Sequence, residues 1–184
     1  MLRTILKYGV IAGVIVGGFE FVTFIAFSGM PPMKYGMLIG YTTMLIALSA
    51  VFVGIKRHRD VDRGGVIGFW PALGVGLGIS FIAGIFYVVA WEGVQAVTHM
   101  DFATSYAQAI IAGAKAKGAS AEALAKLTAD MDAFKVQYAN PMYRLPMTFA
   151  EIFPVGVLVS LISAALLRNS RFLPVRPGYS AATR

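Results

Sequence analysis

The chain has 184 residues, 58% of them hydrophobic and 14% charged, with a formal net charge of +7 and no cysteine. Soluble domains are about 45–50% apolar and about 25% charged, so a chain this short cannot hide its apolar surface in one water-soluble core. Lack of cysteine excludes disulfides, thiol catalysis and cysteine metal sites, and the basic residues flank apolar runs, which is the pattern of membrane anchoring and not of a nucleic-acid-binding face.

The first apolar run predicts a span over about 4–28, entered past Arg3 and Lys7 and ended by Gly29, Pro31 and Pro32. Ala26-Phe27-Ser28 has the small residues of a signal-peptide cleavage site. The run is longer than the roughly 7–15 apolar residues of a signal core, and Glu20 interrupts it, so a retained span is expected. The second span is expected over about 35–55.

The stretch that follows, Lys56-Arg57-His58-Arg59-Asp60-Val61-Asp62-Arg63, is the densest charge in the chain. It reads as a water-exposed loop retained in the cytoplasm, because short basic loops are held on that side. Its expected role is a topology anchor, with binding of anionic lipid headgroups as the alternative. The third span is expected over about 67–92, and Tyr87 and Trp91 near its far end suit an interfacial aromatic belt.

Residues 101–139 read as a helical hairpin. Phe102, Tyr106 and Ile110 recur every four residues, Gly118 is a helix stop, and Ser120 is an N-cap. Leu124, Leu127, Met131, Phe134 and Tyr138 then form one apolar stripe. The fourth span is expected over about 147–167, followed by Arg168 and Arg171 and by a disordered cytoplasmic tail over 172–184. Ten basic residues then fall on the side of the termini and the basic stretch, against six on the hairpin side. Both termini are therefore expected in the cytoplasm.

Apolar burial does not drive helices together in lipid, so small residues that allow close backbone approach must do so. Gly9, Gly13 and Gly17, Gly74 with Gly78, and Gly156 with Ser160 have the required four-residue spacing. Glu20, Glu92 and Glu151 lie in or at the spans, all toward the hairpin end. A carboxylate in hydrocarbon costs about 2.5–3.5 kcal/mol on insertion scales, so each needs a partner or a wet cavity. The expected cluster is Glu20, Glu151, Tyr138, Asn140 and Arg144, with Glu92 and His99 at its edge. It reads either as a clamp docking the hairpin or as a cation or proton site.

Several strings also carry a resemblance. They are Gly54-Ile55-Lys56 with Arg59-Asp60, Tyr138-Ala139-Asn140-Pro141 with Arg144, and Glu151-Ile152-Phe153-Pro154-Val155-Gly156 leading to Ser160-Leu161-Ile162-Ser163-Ala164. Their order and spacing resemble an uncharacterised family of bacterial four-span membrane proteins known as a domain of unknown function. The resemblance implies four spans, a basic inner loop and an outer hairpin, and no activity.

The expectation is an all-α integral membrane four-helix bundle, one membrane domain over 1–171, with an extracytoplasmic hairpin and both termini inside a bacterial inner membrane. The first functional reading is a non-enzymatic scaffold or accessory module. The second is a small proton- or cation-coupled carrier using Glu20 and Glu151. The third, a lipid-modifying enzyme, requires an open cleft beside the glutamates. The expected partners are the bilayer, anionic headgroups, and a second copy or another membrane protein. No cofactor or metal is expected, since His58 and His99 lie in different segments.

Overall fold

The computed structural model of the protein describes residues 1–26 and 33–174. Among these the regular structure is all helical: α1 (Leu2–Ala26), α2 (Met33–Arg57), α3 (Phe69–Thr98), α4 (Phe102–Ala116), α5 (Ala121–Tyr138) and α6 (Pro141–Leu167). Four helices, of 25 to 30 residues, are long and apolar enough to cross a membrane, against the roughly 20 residues a hydrocarbon core demands. The expected tail falls mostly outside the described residues.

Helix α3 is the centre of the bundle. It packs along α1 on one side and α6 on the other, and α2 lies against all three. The α1–α3 seam is made by missing side chains. A β-carbon added at Gly13 would lie 2.5 Å from Phe86 Cγ, and one at Gly9 would lie 2.7 Å from Ile82 Cβ. Gly17 faces Ala90 in the same way. On the α3–α6 seam Gly156 receives Ser80 and Gly76 receives Ser160. Ser80 Oγ donates to the Gly156 carbonyl at 3.2 Å and Ser160 Oγ donates to it at 2.7 Å. Small size and polar contact thus act together, as helix association in lipid requires. Gly74 is a correction: it lies on the outer face with no neighbour within 4 Å, and its expected partner Gly78 instead packs on Ile5. The register of the α3–α6 seam is Gly76, Ser80, Gly84. Val14, Leu45, Ile46, Val89 and Ile162 are exposed on the outward faces, a cost in water and the natural surface for lipid.

The basic stretch is not a loop. Helix α2 continues through a π-helical turn, His58–Asp62, and stops only at Gly64 and Gly65, whose φ values are +63° and +91°. Arg59 has no exposed surface. Its Nε donates to Asp60 at 2.7 Å, and its Nη atoms donate to the carbonyls of Phe172 at 2.9 Å and Leu173 at 2.6 Å. Lys56 pairs with Asp60. His58 is also buried and sits 2.6 Å from Asp62. Arg59 therefore holds the chain that leaves α6, and is not free for a headgroup. Of the six residues singled out there, Arg63 is exposed and Lys56, Arg57 and Asp60 are partly so.

At the opposite end α4 and α5 form the hairpin. Asp101 caps α4 through the Thr104 amide at 3.0 Å, and Ser120 caps α5 through the Ala123 amide at 3.2 Å. Gly118 turns the chain at φ +77°. Phe102, Tyr106, Phe134 and Tyr138 form one ring cluster within and across the two helices, with centroids 5.3–5.7 Å apart. Helix α6 starts six residues before the expected span, with Asn140 accepting from the Met142 amide and Pro141 at its first position. Pro146 and Pro154 lie inside it.

Candidate functional site

The hairpin end of the bundle carries two polar arrangements. The first is a clamp. Arg144, in the first turns of α6, donates from Nε and Nη2 to the two oxygens of Glu92 at 2.7 and 2.6 Å. Its Nη1 donates to the Tyr138 carbonyl at 3.3 Å. One bidentate guanidinium thus joins the end of α3, the end of α5 and the start of α6, in the geometry that makes arginine–carboxylate pairs specific.

The second arrangement lies deeper. Glu20 of α1, Tyr87 of α3 and Glu151 of α6 line one small cavity of about 110 Å³, together with Thr148, Phe24, Trp91, Phe102 and Tyr138. Tyr87 Oη donates to Glu151 Oε2 at 3.0 Å. Glu20 is 9% exposed, and its Oε2 has no hydrogen-bond partner. Glu151 is exposed and stands at the mouth, so one carboxylate is at the floor and the other at the rim. The rings form the wall toward the hairpin. Trp91 lies edge-on to Phe24 at 5.0 Å and to Phe102 at 4.9 Å, and its Nε1 donates to Tyr138 Oη at 2.7 Å. Burial pushes the Tyr138 phenol up to about 12, so it stays neutral.

The expected cluster is therefore split. Glu20, Glu151 and Tyr138 come together at the cavity, whereas Arg144 belongs to Glu92 and reaches neither of the other two glutamates. Asn140 is exposed and spends its side chain on the α6 cap. His99 is exposed in the left-handed position that ends α3. Two residues expected in an interfacial belt, Tyr87 and Trp91, are instead inside, at 8% and 5% exposure. Their signal was available. Ser80, Gly84, Tyr87 and Trp91 fall at spacings of four, three and four, so the seam that opens with small residues continues into these two rings.

The chemistry open to this arrangement is narrow. Two carboxylates lining one cavity, with no basic side chain hydrogen-bonded to either, are groups that can take up a proton or a cation. Organic ligands occupy sites of about 300–1,000 Å³, so the cavity suits an ion or one small group. No group of three metal-ligating side chains occurs among the described residues.

Fold and site together define a helical protein with four apolar helices long enough to span a membrane and, at one end, a cavity lined by a buried glutamate, Glu20, and an exposed one, Glu151. The family model described as a protein of unknown function, DUF4199, matches residues 7–169, and the chain belongs to that family. No curated protein and no solved structure matches the chain.

Proposed function

We propose that the protein is a membrane-embedded binding module for a small cation, held between Glu20 and Glu151 and serving a small carrier. The observation behind this reading is the bare Oε2 of Glu20 in a cavity whose nearest arginine is already committed to Glu92. A clamp would have used that arginine. Basic residues gathered at the end of the termini and the π turn support a cytoplasmic placement of that end. The hairpin and the cavity then lie toward the outer face of a bacterial inner membrane.

Thermal unfolding in lipid nanodiscs tests the reading. A cation at about 100 times its Kd stabilises the protein by about 2.7 kcal/mol, and Glu20→Gln removes that response without lowering cation-free stability. A Glu20→Gln variant that is destabilised, in a protein that no cation stabilises, returns Glu20 to a purely structural role.

The scaffold reading rests on a separate observation. Helix α5 is exposed along most of its length, with Tyr138 at its end buried against Trp91, so it presents a surface to a second copy or another membrane protein. A protein of stated stoichiometry co-purifying from lipid, and lost when the exposed face of α5 is changed, supports it.

A further inference from the structure

Resting on the cation site just proposed, we infer that its ligand is an alkylated ammonium group and not a bare alkali ion. The cavity has two unlike halves. Its floor and rim are acidic, with Glu20 nine-tenths buried and its Oε2 without a hydrogen-bond partner. Its wall toward the hairpin is aromatic, made of Phe24, Trp91, Phe102 and Tyr138.

An alkali ion that sheds its water needs oxygen on every side. Here Phe24, Trp91 and Phe102 occupy one side and offer none, and the one oxygen of that wall, Tyr138 Oη, already accepts from the Trp91 indole N–H at 2.7 Å. A methylated ammonium needs no directed donors. It takes Coulomb attraction from the carboxylates and quadrupole attraction from ring faces, the pairing that aromatic cages use for quaternary ammonium. Size agrees. About 110 Å³, at roughly 30 Å³ of liquid volume per water, is the room of three or four waters or of one small ammonium group. The hairpin supplies Phe102 and Tyr138, so the site is complete only with the hairpin docked, which gives the Arg144–Glu92 clamp a role in binding.

The chain has two tryptophans, and Trp70 is 76% exposed at the far end of α3. Trp70→Phe leaves Trp91, in the cavity wall, as the sole indole reporter. The full chain with that change is placed in phosphatidylglycerol nanodiscs, which carry no ammonium, in amine-free buffer. Tetramethylammonium, potassium, sodium and the neutral tert-butanol are titrated at matched ionic strength.

The expected result is a saturable change in Trp91 emission with tetramethylammonium alone. Glu20→Gln or Glu151→Gln weakens it at least about ten-fold, and Phe102→Leu weakens it about three-fold or more. Phe102→Leu retains the acidic pair, so it reads the cage even where a glutamate variant fails to fold. Saturation by sodium or potassium with no response to tetramethylammonium overturns this inference and leaves the Glu20–Glu151 cation site standing. An equal response to tert-butanol, or an affinity unmoved by Phe102→Leu, also overturns it. Saturation by none of the four overturns both.

Discussion

Replacing Arg59 with methionine isolates what the π turn contributes to the fold. The guanidinium is wholly buried, and methionine fills much of the volume of its stem, so the loss is chiefly polar. Asp60 and the carbonyls of Phe172 and Leu173 lose their donors. Removing one partner of a buried ion pair costs about 3–5 kcal/mol. Lys56 still faces Asp60, which puts the cost at the lower edge of that range, about 3 kcal/mol. At about 2–4 °C per kcal/mol for a chain of this size, thermal unfolding in nanodiscs falls by about 6–12 °C. Both orphaned carbonyls belong to the chain after α6, which carries the exposed Arg168 and Arg171. Trypsin therefore cuts there faster in the variant, well below the unfolding temperature. A shift under about 2 °C with unchanged proteolysis refutes the latch.

Other consequences follow from the seams and the hairpin. Gly156→Ala puts a methyl 2.6 Å from Ser80 Cβ and destabilises by about 1–3 kcal/mol. Gly74→Ala meets nothing within 4 Å and stabilises by up to about 1 kcal/mol; equal melting temperatures for the two variants contradict the assigned register. A double-mutant cycle of Glu92→Gln and Arg144→Met gives a coupling of about 1 kcal/mol, since the pair is bidentate but partly exposed. A coupling near zero in that cycle removes the clamp. The Thr104 hydrogen bonds hold the Asp101 carboxyl below the ordinary aspartate range. Asp101 therefore stabilises α4 at neutral pH, and that contribution fades as pH falls through its lowered value. Asp101→Asn keeps a cap that does not titrate, so hydrogen exchange of the α4 amides in acid separates the two proteins. Identical acid profiles dismiss the cap.

The spans were legible because 20 or so apolar residues between charged or glycine–proline breaks have few other uses. Where helices touch was half legible. Four-residue spacing marked the α1 seam correctly, but on α3 two overlapping glycine series exist, and spacing alone does not say which faces protein. Depth could be read and azimuth could not. Glu20, Glu92 and Glu151 all lie at the hairpin end, yet Arg144 selects Glu92, a choice that position along the chain does not reveal. The start of α6 was not legible: the apolar run begins after Pro146, whereas the helix begins at Pro141 and carries Pro146 within it. The π turn was illegible for a different reason. A dense run of charge reads as solvated, and the acceptors that let Arg59 be buried lie in a segment more than a hundred residues away.

Isothermal titration calorimetry in phosphatidylglycerol nanodiscs puts the central claim to its most direct test. Sodium, potassium and tetramethylammonium are titrated in turn into the wild-type chain and into Glu20→Gln. One of the three binds the wild type at one per chain and leaves no measurable heat with the variant. Heat from none of them, or binding that survives the loss of Glu20, contradicts a cation site in this cavity.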